Sequence, residues 1–464
     1  MKPRKLALLV AILALGGGVE SAWELREHVG IGPAGCRVLG GRFYGRSFSF
    51  EEEERRELGP GTRVEVLNSF GGIKIGAGEA GRLKVRLRKV VYLERESSAR
   101  EFAARIALRL EQDGTLVRVS TNRDGLEHGD SDVGLETHIE LLVPPDTPVS
   151  ARNAHGGIEV ADVASADLET SYDGIRVQRV AGDTAVRGRH GEIAAFEIGG
   201  VLTASSRYGD VRIADVTGKT SLNVEHGDIQ AARVGSLGVE LRNGDLDAET
   251  VRGELDVDAS HASVKASDVA GGARIATSNQ DVHVANVAGD ARIETHHGGV
   301  DGSDLHGGVT VVASYGDVVL GSVGGPAEVK VDHGGLKARG LAQGAKVQVL
   351  GGDAVLEGFR GGLEVLADRA GVELRPDAPL TDPVAATSRF GTIQLSVPAE
   401  SRFDLLAAAP RGQVSVRLPG FAVSESSAKR VAGRLAGGGS MVNLSSDHGD
   451  VRVEERVAEV AEAP

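Results

Sequence analysis

Aromatic side chains are scarce in this sequence. The 464 residues include one Trp, five Tyr and ten Phe, which together make up 3% of the chain. Large rings fill much of an ordinary globular core, so a chain with so few of them needs a narrow interior that Val, Ile, Leu and Ala can fill. Glycine is abundant instead, at 65 residues, which is roughly twice its average share.

Disulfide bonds within the chain are excluded, because Cys36 is the only cysteine in the sequence. A general affinity for nucleic acid is disfavoured as well. The formal net charge is −14, whereas binding to phosphates depends on an excess of Lys and Arg. We therefore expect no nucleic-acid partner.

The N-terminus has the layout of an export signal. Lys2, Arg4 and Lys5 precede an apolar run at 6–15, and small residues follow as far as Ala22. This pattern predicts a signal peptide over residues 1–22. The alternative is an uncleaved membrane anchor, although the apolar run is much shorter than the roughly 20 residues that span a bilayer. We expect an exported protein, located in the periplasm, at the cell surface or in the medium.

A motif of one ring residue, then Gly, Asp and Ile or Val, recurs through the middle of the chain. Positions equivalent to His155 fall at Tyr172, His190, Tyr208, His226, Asn243, His261, Asn279, His297, Tyr315, His333, Gly351 and Arg369. The steps that lead to Tyr172 and Asn243 are one residue shorter than all the others, which are equal. A fixed period of this kind identifies a solenoid, and we predict an all-β fold, a single-chain parallel β-helix with about 18 residues per rung.

Two columns of the repeat have predictable structural roles. The residue after the ring position is a glycine that supplies a corner with positive φ, at Gly156, Gly191, Gly209, Gly227, Gly244, Gly298, Gly316 and Gly334. The Asp that often follows is expected to cap backbone amides. Eight positions past the ring, an apolar column is expected inside the rod, at Val163, Val180, Ile198, Val216, Val234, Val251, Val269, Val287, Leu305 and Val323.

The segments on either side of the repeat depart from its period. We predict a solvated linker over residues 23–60, a β-rich N-terminal cap with one short helix over 61–150, regular rungs over 151–375, irregular rungs over 376–455 and a tail over 456–464. The cap is needed because an open end of a solenoid exposes strand edges. Within it, Arg82, Lys84, Arg86 and Arg88 lie on one side of a strand. This basic stripe is either an ordinary exposed face or a binding surface for anionic lipid or polysaccharide.

Histidines recur in the ring column and invite comparison with a metal site. His155, His190, His226, His261, His297 and His333 fall mostly on alternate rungs, which lie roughly 9–10 Å apart. That distance is too long for two imidazoles to share a zinc ion, so we expect a stacked polar ladder. The outward column from Glu159 to Lys337 has mixed charges, typical of a soluble face. We predict no catalytic residue, no cofactor and no metal.

Several segments together resemble the bacterial putative-adhesin family of β-strand-repeat proteins, which are mostly domains of unknown function. They are "NSFGGIKI", "NAHGGIEV", "SSRYGDVRI", "ELLVPPDTPVSA" and "SSDHGDVRV". The family is related to head domains of putative autotransporter adhesins, and the likeness spans most of residues 61–455.

The resemblance implies a right-handed helix and a non-enzymatic, exported adhesin or cell-envelope binding module with a surface glycan or protein as ligand. Two alternatives stay open. One is an envelope scaffold formed by end-to-end or face-to-face self-association, and the other is a polysaccharide-acting β-helix enzyme.

Overall fold

The computed structural model describes residues 45–125 and 133–456. Over these residues the protein is an all-β solenoid with one α-helix. Equivalent positions recur once per turn, at about 18 residues as the repeat requires, which confirms the predicted fold. The predicted signal peptide, the first part of the predicted linker and the tail beyond residue 456 lie outside the described residues.

The N-terminal part contains seven strands, the α-helix and a single 3-10 turn at Arg123–Gly125. Their bounds are β1 (Arg46–Glu57), β2 (Arg63–Phe70), β3 (Ile73–Ala77), β4 (Arg82–Leu93), α1 (Glu96–Ala104), β5 (Leu108–Asp113), β6 (Leu116–Thr121) and β7 (Gly134–Val143).

The regular rungs follow, and each contributes two strands to two parallel sheets. Odd-numbered strands lie in sheet A and even-numbered strands in sheet B. In chain order they are β8 (Pro148–His155), β9 (Ile158–Val163), β10 (Ser165–Tyr172), β11 (Ile175–Val180), β12 (Thr184–His190), β13 (Ile193–Ile198), β14 (Leu202–Tyr208), β15 (Val211–Val216), β16 (Thr220–His226), β17 (Ile229–Val234), β18 (Leu237–Asn243), β19 (Leu246–Val251), β20 (Leu255–Ala259), β21 (Val264–Val269), β22 (Ala273–Thr277), β23 (Val282–Val287), β24 (Ala291–His297), β25 (Val300–Leu305), β26 (Val309–Tyr315), β27 (Val318–Val323), β28 (Ala327–His333), β29 (Leu336–Leu341), β30 (Ala345–Val349), β31 (Ala354–Glu357), β32 (Leu363–Ala367) and β33 (Val372–Arg375).

The C-terminal part continues both sheets and adds an antiparallel hairpin. Its strands are β34 (Val384–Ser388), β35 (Ile393–Val397), β36 (Phe403–Ala408), β37 (Val414–Arg417), β38 (Phe421–Ser426), β39 (Arg430–Leu435), β40 (Ser440–Ser446) and β41 (Val451–Glu455). Sheet A ends at β37, which pairs with β41. Sheet B ends at β38, which pairs antiparallel with β39.

Stacking of equivalent positions is the rule throughout the regular rungs. Val216 of β15 lies beside Val234 of β17, one turn later. Ile158 lies beside Ile175 and Ile229 beside Leu246, so these two turns are one residue shorter than the rest. The missing residue falls between a sheet A strand and the next sheet B strand, which leaves the pairing of both strands intact.

The apolar column is buried along its whole length. All ten of its residues, from Val163 to Val323, have no more than 1% of their surface exposed, and they belong to one core cluster that runs through the rod. Burial of each such side chain contributes about 1.5–3 kcal/mol, so the stability of the rod accumulates turn by turn.

The eight corner glycines all have φ between +108° and +159°. At these corners the backbones of successive turns approach closely. A Cβ atom on Gly209, for example, would lie 2.1 Å from the carbonyl oxygen of Gly191. Any side chain at this position would therefore require both a strained φ and a displaced backbone.

A second column with left-handed backbone immediately precedes the apolar column, and sequence analysis did not identify it. Its residues have φ between +52° and +60° and are Asp162, Arg179, Glu197, Asp215, Arg233, Thr250, Asp268, Asn286, Asp304 and Ser322. This conformation costs roughly 1–2 kcal/mol for a residue other than glycine. Ion pairs between neighbouring turns accompany it, with 2.7 Å between Arg179 and Asp162 and the same distance between Arg233 and Asp215.

The N-terminal strands extend the same two sheets. Strand β2 lies between β6 and β8 in sheet B, and β3 lies between β7 and β9 in sheet A. Phe70 is consequently the neighbour of His155, so β2 and β3 form one turn of the rod. The outermost strands at this end are β1, paired with β4, and β5, paired with β6.

The linker prediction for residues 23–60 is wrong where the structure describes it, because β1 occupies Arg46–Glu57. Phe48 and Phe50 alternate along this strand and pack against the cluster formed by α1. Two glutamates of the run pair with lysines of β4, with 3.2 Å between Glu53 and Lys84 and 2.6 Å between Glu52 and Lys89. The charged run is thus part of strand β1, and its partner strand β4 carries the opposite charge.

Candidate functional site

The ring column forms a ladder of stacked side chains along one edge of the rod. Five successive pairs have ring centroids 4.8–5.2 Å apart, in the order Phe70, His155, Tyr172, His190, Tyr208 and His226. The last four pairs are within 11° of parallel. We call these six residues the ring ladder. The parallel register of sheet B creates it, since each ring stands directly above the ring of the preceding turn.

The ring ladder presents edges to solvent. The faces of its inner rings are covered by neighbouring rings, and the guanidinium group of Arg123 lies 4.8 Å from the centroid of Phe70 at the N-terminal end. Even so, 47% of the surface of Tyr172 and of Tyr208 is exposed. Phenol oxygens and imidazole nitrogens therefore alternate along the edge, and both can donate and accept hydrogen bonds.

A shorter ladder lies further along the same edge. Tyr315 stacks between His297 and His333, with centroid distances of 4.9 Å and 4.7 Å. Between the two ladders the column contains Asn243, His261 and Asn279, and the amide of Asn279 contacts His261 at 3.2 Å between Nδ2 and Nε2. The column is then interrupted at Gly351.

The aspartates of the Gly-Asp motif link successive turns. Asp210 Oδ1 accepts a hydrogen bond from the amide of Asp228 at 3.0 Å, and Asp228 Oδ1 accepts one from Asp245 at 3.0 Å. Asp317 caps Gly335 in the same way at 2.8 Å. The motif therefore has a structural role, in which glycine turns the chain and aspartate caps the next turn.

The first three turns lack these aspartates, and a groove of about 840 Å³ lies beside their part of the ring ladder. Gly72, Gly157 and Gly174 occupy the aspartate position there. Phe70, His155 and Tyr172 contribute to the lining, together with side chains from β4 and β7. The bare backbone at the three glycines and the neighbouring ring edges thus form one concave surface.

A hydrogen-bonded network from the N-terminal strands lines the groove. Tyr92 donates to Glu136 at 3.0 Å, and His138 Nε2 lies 3.1 Å from the other carboxylate oxygen. The amide of Gly72 donates to His138 Nδ1 at 3.1 Å. The Nε2 atom must then carry the proton that is shared with Glu136, so the orientation of the imidazole is fixed from both sides.

The network also shifts the pKa of two of its groups. The hydrogen bond from His138 holds the pKa of Glu136 below its ordinary value despite the opposing effect of burial, and the Tyr92 hydroxyl adds to this. Burial and the negative charge of Glu136 raise the pKa of Tyr92 to about 12. At neutral pH the carboxylate of Glu136, which lines the groove, therefore accepts a hydrogen bond from a neutral phenol.

The remaining charged side chains around the groove are mixed in sign. Lys74 lies 4.0 Å from Glu159, and the guanidinium group of Arg176 lies 5.3 Å from the ring centroid of Phe196. Of the basic stripe on β4, Arg86 pairs with Glu140 of β7 at 3.4 Å, and Lys84 pairs with β1. Much of this stripe is thus neutralised within the chain.

Five of the six histidines of the ring column stack on a neighbouring ring, and His261 contacts the amide of Asn279 instead. Within residues 45–125 and 133–456, no group of three or more His, Cys, Asp or Glu side chains could hold a metal ion. No helix in the same ranges combines the length and the hydrophobicity that crossing a membrane requires.

The groove is the part of the site that sequence analysis missed. It depends on β7, where Glu136 and His138 lie, being placed beside β3 although β4, α1, β5 and β6 come between them in the chain. The alternation of polar and apolar residues in "THIELLVPP" predicts a strand there, but no feature of the sequence identifies the strand with which it pairs.

Comparisons with known proteins find likeness only among solved structures. No family model and no curated protein matches the chain. A "putative cell adhesion protein" from Clostridium sporogenes is 8% identical, with a TM-score of 0.17, over 88% of this chain and 100% of that one. A "putative adhesin" from Parabacteroides distasonis is 10% identical, with a TM-score of 0.17, over 75% of this chain and 97% of that one. At this TM-score neither structure decides the function of this chain.

Proposed function

We propose that the protein is an exported, non-enzymatic adhesin or cell-envelope binding module, and that it binds a surface glycan at the groove beside the ring ladder. The observation that carries this proposal is the continuity between the groove and the ring ladder. A concave surface there leads onto a regular, exposed line of hydrogen-bonding ring edges.

The groove has the size and chemistry of a ligand site. Its volume of about 840 Å³ lies within the roughly 300–1,000 Å³ that is usual for small-molecule pockets. Its polar groups are held in place by other side chains, as Tyr92, Glu136 and His138 show. Such preorganised donors and acceptors suit a ligand rich in hydroxyl groups, because little side-chain freedom is lost on binding.

The ring ladder extends this surface along the rod. Tyrosine hydroxyls recur on alternate turns, about 9–10 Å apart at the spacing of parallel strands. A linear glycan lying along the axis would meet equivalent groups at a regular interval. An extended peptide repeats every two residues, at about 6.6–6.8 Å, and so would lose register with the ring ladder. The spacing therefore argues against an extended peptide as the ligand of the ring ladder.

Export is supported by the N-terminal pattern of basic residues, an apolar run and small residues at 1–22. The proposal requires this segment to deliver the rod to the outside of the membrane. Expression of the full chain, followed by cell fractionation and mass spectrometry of the mature N-terminus, measures this directly. Retention of the intact chain in the cytoplasm would contradict the proposal.

Binding is tested with the purified mature chain on an array of bacterial and host surface glycans. Tyr172→Ala should weaken binding at least tenfold, because Tyr172 borders the groove. Tyr315→Ala is the matched control, since both tyrosines stack between two histidines and are 47% and 46% exposed. The control should bind like the wild type. Binding to no glycan, or equal losses in both variants, would refute the proposed site.

A further inference from the structure

The two ends of the rod carry strands with unpaired edges. At the N-terminal end, β1 is the outermost strand of sheet A and β5 that of sheet B. At the C-terminal end, β38 is the outermost strand of sheet B, and its residues after Phe421 are exposed. In the described part of the chain no other strand pairs with the outer edges of β1 and β38. Such edges are templates for pairing with another chain.

The two outermost strands at the N-terminal end are acidic. Strands β1 and β5 together contain seven acidic and four basic residues, a net charge of −3. Glu51, Glu57 and Asp113 are exposed, and none of them has an ion-pair partner among the described residues. Like charges opposite one another destabilise a strand pair, so pairing between two copies of this end is unfavourable.

The C-terminal end is basic, in contrast to the net charge of −14 for the whole chain. Residues 402–435 include six basic and two acidic side chains, a net charge of +4. Two of the basic residues are neutralised, with 3.3 Å between Arg430 and Glu425 and 3.0 Å between Arg434 and Asp404. Three further cations are exposed and have no carboxylate partner within the described ranges, namely Arg402, Arg417 and Lys429.

The C-terminal end is also partly covered by its own hairpin, which limits where a second chain can add. The amide of Val414 in β37 donates to the carbonyl of Ala428 at 3.0 Å, so the turn between β38 and β39 occupies the start of the β37 edge. Phe421 of this hairpin also packs against the core. The free edge at this end therefore belongs to sheet B, at β38.

We propose that the rods associate head to tail, with the acidic N-terminal end of one copy docked on the basic C-terminal end of another. Coaxial stacking brings β5 of one copy to β38 of the next, which continues sheet B, and places the acidic edge of β1 near Arg417. A head-to-tail contact of this kind leaves one free end on each side. It therefore generates an open filament rather than a closed oligomer. The inference is independent of the glycan site.

Sedimentation velocity of the full mature chain tests the proposal. At low ionic strength the mean size should grow with protein concentration. It should fall as salt is raised, because exposed charges are screened over about 10 Å at about 0.1 M salt. A wild-type protein that stays monomeric at every concentration and ionic strength would overturn the inference.

Charge reversal identifies the surfaces. The C-terminal variant Arg402→Glu, Arg417→Glu, Lys429→Glu and the N-terminal variant Glu51→Lys, Glu57→Lys, Asp113→Lys should each be monomeric. An equimolar mixture of the two should assemble again, because each reversed end then meets an end of opposite charge.

The matched control reverses three exposed cations from the middle of the rod, Arg242, Lys265 and Lys337. It should assemble like the wild type, because these side chains lie far from both ends. Failure of the mixture of end variants to assemble would show that the ends do not pair by charge.

Discussion

The ring column is interrupted at Gly351, and placing an aromatic ring there tests the stacking geometry directly. Gly351 occupies the ring position one turn after His333, since the amide of Gly334 donates to its carbonyl at 2.9 Å, as the amide of Gly316 does to His333 at 3.0 Å. A Cβ atom there would meet only the carbonyl oxygen of Asp332, at 3.5 Å, and the φ of Gly351 lies outside the left-handed region. Gly351→Tyr should therefore add a ring that stacks on His333.

The expected gain has two sources. A stacked aromatic pair contributes about 0.5–1.5 kcal/mol, and replacing a glycine in a compatible conformation contributes about 0.4–1 kcal/mol through the unfolded state. Gly351→Tyr should thus stabilise this part of the rod by about 1–2 kcal/mol. The neighbouring variant Gly352→Ala should have the opposite effect, because Gly352 has a φ of +110° and its Cβ atom would lie 2.3 Å from the carbonyl oxygen of Gly334.

Hydrogen exchange measured by mass spectrometry is the appropriate assay, because opening of a solenoid is local and need not follow one global transition. Amides of β28 to β31 should exchange about five- to thirtyfold more slowly in Gly351→Tyr, the rate ratio that corresponds to about 1–2 kcal/mol. They should exchange faster in Gly352→Ala. Unchanged or faster exchange in Gly351→Tyr would show that the ring column does not stabilise the rod by stacking.

Three further outcomes follow from the described contacts. Thr250 is β-branched and has a φ of +60°, so Thr250→Gly should stabilise the protein by about 1 kcal/mol. Thr203→Gly, in the extended strand β14, should destabilise it by about 0.5–1 kcal/mol. Thermal melting compares the two variants. Val216→Asp should cost several kcal/mol, because it places an unpaired charge in the apolar core, and near-wild-type melting would contradict the assigned register. The pKa of Glu136 is lowered in the folded protein, so its carboxylate stabilises the fold. This contribution to stability is complete above the ordinary pKa of 4.5 and is lost as the pH falls through the pKa of the folded state. Glu136→Gln should therefore show a shallower loss of stability below about pH 4.5 in denaturant titrations across pH.

The regular rungs could be predicted because the chemistry of each turn is local. The glycine corner and the buried valine depend on residues a few positions apart, so the same letters recur, as around Gly209 and Val216. The left-handed corner at Asp215 escaped prediction for a physical reason. Its side chain faces solvent, and residues as different as Arg233 and Thr250 occupy the same backbone conformation.

The groove could not be predicted because long-range pairing creates it. Phe70 lies beside His155, which comes much later in the chain, and Gly72 lies beside His138. Between them the chain leaves the rod to form β4, α1, β5 and β6 and then returns. Alternation predicts strands in that segment, but the order in which the strands pair is a property of the folded end. The glutamate run of β1 likewise becomes recognisable as a strand only together with the opposite charge on β4.

The two short turns indicate where the chain tolerates a change in length. In both, one residue is missing between a sheet A strand and the next sheet B strand, at the corner after Val163 and at the corner after Val234, and the pairing on either side is preserved. That corner can thus absorb a small deletion, whereas the glycine corner offers no such slack. Deleting one residue at the equivalent corner of another turn, after Val216, should therefore leave the strands on both sides paired as they are.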